Sequence, residues 1–118
     1  MDGFTDMKEE TVMIQGVPWK IRYANACEDS ALASCDGYCD SSIRTCVVFD
    51  GNGTENDPLS LGDVEHRQKQ VKRHELIHAY LAECGLELES WAANEEIVDW
   101  IASQFPKLSA LFREADAI

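Results

Sequence analysis

The chain has 118 residues, 45% hydrophobic and 27% charged, which suits one domain, 1–118, built around one core. No apolar run reaches the length of a membrane span, and the opening Met1-Asp2-Gly3-Phe4-Thr5-Asp6 lacks a basic stretch leading into an apolar one. A formal net charge of −12 argues against direct binding of nucleic acid, which needs a basic footprint. The expectation is a cytoplasmic protein with no membrane contact.

Residues 1–10 are polar and acidic and read as loose chain. Residues 11–24 read as a β-hairpin. Val12 and Ile14 alternate up to Gln15-Gly16, and Val17, Trp19, Ile21 and Tyr23 alternate after it. Residues 25–42 are rich in Cys, Ser, Asp and Gly, with a turn signal at Asp36-Gly37. Residues 43–49 read as a third strand and 50–60 as an exposed loop. A long helix is expected from about 62 to 84, stopped by Gly85. Ser90 can cap a second helix over 91–104, and Pro106 should break it and open a third over 106–115. Trp91 and Trp100 are expected as core anchors, and Cys84 as a buried thiol. Strands followed by helices indicate an α+β fold: a small three- to four-stranded, mostly antiparallel sheet, packed by the long helix and one or two C-terminal helices.

Inside the long helix lies His74-Glu75-Leu76-Ile77-His78, an HExxH run. Histidines four apart on a helix point about 40° apart, one turn along, so both imidazoles can reach one metal ion. Two of the three histidines in the chain fall at this spacing. Catalytic zinc takes three protein ligands and keeps a position for water. Downstream, Glu95 can complete a His₂Glu set, with Glu96 as its neighbouring competitor. Asp99 lies on the same helical face as Glu95 and can accept a hydrogen bond from a ligand imidazole. The candidate metal ligands are therefore His74 and His78 with Glu95, or Glu96 beside it, on Zn²⁺, with Asp99 able to orient a histidine and Glu75 as candidate general base. Taken as a bare pattern, the same residues read as polar positions on amphipathic helices. The strand at 43–49 is expected to offer an edge to which an extended peptide could add.

The run His74-Glu75-x-x-His78 followed by Asn94-Glu95-x-x-x-Asp99 resembles the gluzincin branch of zincins. The arrangement over about 36–102 is similar to the small ImmA/IrrE-like metallopeptidases of phages and mobile elements, with Gly37-Tyr38-Cys39-Asp40 and Ile43 to Val48 ahead of the helix. The resemblance implies a zincin-like fold and peptide-bond hydrolysis by a zinc-activated water, with Glu75 as base and a peptide or protein as substrate. Where that family often reads Glu-x-x-Ala-Asn-x-Phe-Ala, this chain reads Glu95-Glu96-Ile97-Val98-Asp99-Trp100-Ile101-Ala102. No second domain is visible, so cleavage of a repressor would need a regulatory protein partner.

Other readings stay open. Tyr38 is a loop candidate for stabilising an oxyanion. A deformylase-like site would use Cys46 in place of Glu95, but the sequence around Cys46 lacks that motif. Cys27, Cys35, Cys39 and Cys46 lack the C-x₂-C spacing of a structural zinc site and are expected as reduced thiols. The alternative in another class is a non-catalytic zinc-binding interaction or regulatory protein with a zincin fold.

Overall fold

A computed structural model describes residues 9–51, 64–86 and 90–118. Of the loose segment expected over 1–10, residues 1–8 lie outside the described residues, as do 52–60 of the loop expected over 50–60 and the helix start at 62–63. Glu9 and Glu10 are not loose but begin the first strand, paired to Arg22 and Ile21. Four strands and two long helices form an α+β fold: β1 Glu9–Ile14, β2 Val17–Ala24, β3 Gly37–Asp40, β4 Thr45–Phe49, α1 Val64–Glu83 and α2 Glu95–Glu114. The sheet order is β1-β2-β4-β3. β1/β2 and β3/β4 are antiparallel, whereas β2/β4 is parallel, so the sheet is mixed.

The hairpin forms as its alternation requires. Gln15 and Gly16 both take positive φ, 51° and 82°, the two-residue turn whose twist matches antiparallel strands. Trp19 and Ile21 on β2 are fully buried, as are Cys46 and Val48 on β4. Ile14, Trp19 and Cys46 pack with Ala79 of α1 on one face of the sheet. Ala24, Leu32, Val47 and Tyr38 pack on the other, beneath the 3₁₀ turn Ser30–Ala33. The C-terminal end of α1 is tied to the sheet: Glu83 accepts from Trp19 Nε1 at 2.9 Å and pairs with Arg44.

Several sequence expectations are corrected. Residues 37–40 form a strand rather than a turn, and β4 lies between β2 and β3. β4 has both ladders occupied and cannot accept an added peptide; among the described strands the sheet edges are β1 and β3. Ile43 falls in the 3₁₀ turn Ser41–Ile43 before β4. Ser90 caps the short turn Trp91–Ala93, and Asn94 caps α2, accepting from Glu96 N at 2.8 Å and Ile97 N at 3.2 Å.

Pro106 does not end the second helix; α2 runs through it to Glu114. Proline removes the N–H that would bond the carbonyl four residues back, leaving Ala102 O without its helical donor. Arg73 Nε fills that place from α1 at 2.6 Å. The bond ties the two helices together next to His74. Trp91 and Trp100 are exposed, at 78% and 56%, rather than core anchors. Cys84 is also exposed and accepts from Gln15 Nε2 at 3.0 Å.

Gly37 marks where β3 meets α1. A Cβ there would lie 2.8 Å from Val47 O, 2.8 Å from Val71 Cγ1 and 3.3 Å from Glu75 Cγ. Gly37→Ala therefore has to push β3 away from α1. We expect it to cost about 1–3 kcal/mol, the usual range for overpacking, read as a lower midpoint in urea unfolding with an unchanged slope. An unchanged midpoint would mean that β3 is free to move off the helix.

Candidate metal centre

Helix periodicity places His74 and His78 on the face of α1 that meets the start of α2. Their ring centroids are 5.0 Å apart, with the planes inclined at 62°. Asn94 fixes the first turn of α2 and so aims Glu95 at both histidines. Glu95 Oε1 lies 2.7 Å from His78 Nε2, and Glu95 Oε2 lies 3.0 Å from His74 Nε2. One ligand atom from each of the three residues lies within 4.8 Å of the others. Among the described residues this is the one group of three or more His, Cys, Asp or Glu side chains drawn so close. Glu96, the competitor left open by the sequence, is outside it.

Asp99, one turn further along α2, places Oδ1 3.2 Å from His74 Nδ1. The two nitrogens of His74 thus face two different carboxylates. An Asp99 acceptor at Nδ1 favours the tautomer with its proton there and leaves the Nε2 lone pair toward Glu95.

Glu75 is 6% exposed, beside the gap that Gly37 leaves. Burial pushes its carboxyl up to about 7; His74 opposes the shift and the negative charge of Glu95 adds to it. A carboxyl held there can take and release a proton near neutral pH.

These side chains line an open groove of about 910 Å³. β3 and Cys35 form one wall, α1 from His66 to Leu81 the floor, and Glu95 and Asp99 the far side. Arg67 and Asp36 form an ion pair at one end, and Leu81 and Leu86 make the other end apolar. The ladder fixes which backbone groups of β3 face the groove. Phe49 N donates to Asp36 O at 2.8 Å, so Asp36 and Phe49 are a hydrogen-bonded pair. Alternation then makes Tyr38↔Val47 and Asp40↔Thr45 the next bonded pairs. Gly37 and Cys39 accordingly turn their N–H and C=O groups to the open edge.

Tyr38 points to the opposite face of the sheet and donates its hydroxyl to Asp29, so it does not reach the groove's chemistry. Cys46 lies under α1 with its thiol directed at the Glu75 carbonyl, 3.5 Å away, and does not join the histidines. Its thiol is pushed up by a hydrogen bond with Cys39, the cross-strand neighbour, and by burial. His66 is exposed and borders the groove one end away from the cluster.

Sequence reasoning missed Gly37 as the point of closest strand–helix approach, although its lack of a side chain was in view. It also missed Arg73, whose partner exists because Pro106 stays inside a helix. Compared with family models, curated proteins and solved structures, the chain matches none. No described helix is long and apolar enough to cross a membrane.

Proposed function

We propose that this protein is a zinc-dependent metallopeptidase in which His74, His78 and Glu95 hold the ion and Glu75 is the general base. The observation that carries the reading is the gathering of three ligand atoms within 4.8 Å of one another in a groove that the buried Glu75 also lines. A His₂Glu donor set is one that catalytic zinc uses, leaving a position for water. Tetrahedral zinc with bonds of about 2.0–2.2 Å sets its ligand atoms roughly 3.3 Å apart. Glu95 meets His78 through Oε1 at 2.7 Å and His74 through Oε2 at 3.0 Å, and the three ligand atoms lie within 4.8 Å of one another, so gathering them round one ion takes side-chain shifts of up to about 1.5 Å. The donor set therefore fits the ion.

Zinc held there would supply Lewis acidity toward a peptide carbonyl and lower the pKa of water at the open position. Glu75, buried in the same groove, would accept a proton from the attacking water and pass it to the leaving amine. Asp99 holds His74 in the ligating tautomer. The outward N–H and C=O groups of Gly37 and Cys39 offer an extended peptide a strand to pair with across the groove.

Metal analysis of protein purified without chelator should find zinc at one ion per chain, and a peptide library should be cleaved. Chelation should stop the cleavage and zinc should restore it. A chain without stoichiometric metal would overturn the whole reading. Stoichiometric metal with no cleavage would leave a zinc-binding interaction protein in its place.

A further inference from the structure

α2 carries an apolar face that the fold covers only in part: Ile101 and Leu108 are half-buried, whereas Ile97, Trp100, Phe105, Leu111 and Phe112 are exposed. At 100° per residue, Ile97, Ile101, Leu108 and Leu111 fall along one side, with Phe105 and Phe112 on one flank and Trp100 on the other. Val98, Ala102 and Ser109 are buried on a different side, the one packed against the body. Trp100, Phe105 and Leu111 are each at least half exposed, and from Ala110 to Ile118 every residue is exposed. The last turns of α2 therefore stand clear of the domain with their apolar side outward.

The spacing is that of a helical seam. Ile101 and Leu108 lie seven residues apart, with Ala115 at the C-cap just past the helix next in the series, and Ile97, Gln104 and Leu111 repeat every seven between them. Trp100, Lys107 and Glu114 form the row along one rim. When two such helices run antiparallel, residues of the same rim face each other. A layer pairing Leu108 with Leu111 of a second copy brings Lys107 opposite Glu114 of that copy, and the two-fold axis repeats both contacts. The rim is thus complementary to itself in charge.

Charge elsewhere points the same way. Residues 97–118 carry Asp99, Glu114 and Asp116 against Lys107 and Arg113, a net of −1, which leaves −11 for the rest of the chain. A nearly neutral segment of this kind adds little repulsion between copies that each carry −12. Its exposed apolar side chains amount to roughly 500 Å² per copy, toward the upper end of the largest patch a typical monomer shows, which is often functional. With a polar rim, pairing would reach about 1,200 Å² in total, the lower end of specific interfaces.

We propose that the occupant of this face is a second copy of the chain, and that two α2 helices pair antiparallel about a two-fold axis near residues 109–110. The inference does not depend on the metal site.

The experiment is sedimentation equilibrium of the full chain from about 5 to about 300 µM, a range suited to a small interface. Wild type should pass from monomer to dimer. Leu111→Glu, at an exposed position, should be monomeric throughout while keeping the helical circular dichroism of wild type. Lys107→Glu and Glu114→Lys should each weaken self-association by roughly tenfold or more, since each sets like charges together twice. Mixing those two variants should restore association as a heterodimer, because each then meets the opposite charge at both ends. Wild type that stays monomeric overturns the proposal. So does a folded Leu111→Glu variant that still dimerises, or a mixture no stronger than its components, which would place any dimer on another surface or in another register.

Discussion

Glu75→Gln is expected to leave zinc at full stoichiometry and to cut peptide hydrolysis by about a thousandfold, within the range for losing a general base. Glutamine keeps the shape of the buried side chain but cannot accept the water's proton. The same substitution should raise the stability of the metal-free chain at high pH. The folded chain holds the Glu75 carboxyl at about 7 against an ordinary 4.5. Between those values the folded state keeps a proton that the unfolded state has released. Stability therefore falls as pH rises through that window and stays lower above it. A neutral glutamine removes the loss, by at most about 3 kcal/mol at roughly pH 8 and by nothing near about pH 4. Urea unfolding of both metal-free proteins at the two pH values reads the difference. Equal stability at the higher pH would mean that the carboxylate is solvated, and retained hydrolysis would mean that another group takes the proton.

The parts of this molecule that were legible in the sequence are those set by local periodicity. The hairpin around Gln15-Gly16, the long helix ending at Gly85 and the grouping of His74, His78 and Glu95 follow from alternation, from a breaker and from ligand spacing. What was not legible depends on partners distant in the chain. Whether 43–49 is an edge or an inner strand is decided by β2, some twenty residues away, which pairs with it in parallel. Pro106 reads as a stop because the lost hydrogen bond is local, while the group that replaces it, Arg73, belongs to another helix. Trp91 and Trp100 read as core because large aromatics usually are. The side of α2 that faces the body is instead set by small residues, Val98, Ala102 and Ser109, which allow close approach and leave the large ones outside.

His78→Ala is expected to abolish stoichiometric zinc and hydrolysis together, because it removes a neutral donor and leaves Glu95 with one imidazole in place of two. Substitutions around it should grade in a defined order. Glu95→Gln keeps the side chain's length but loses its charge, and should bind zinc more weakly than wild type while retaining the two-histidine clamp. Asp99→Asn touches no ligand position directly. It weakens the acceptor that sets the His74 tautomer, 3.2 Å from Nδ1, and should cost about ten- to a hundredfold in zinc affinity. Competition with a chromogenic chelator gives the affinities, and thermal unfolding of the metal-free forms checks that the fold is intact. The exposed Glu96 provides the control: Glu96→Gln should change zinc affinity by less than about twofold, the scale of a screened surface charge. If Glu96→Gln instead matches the loss at Glu95→Gln, the third ligand is not the residue that Asn94 aims at the histidines. The first turn of α2 would then have to rotate by one residue, about 100°, to present it.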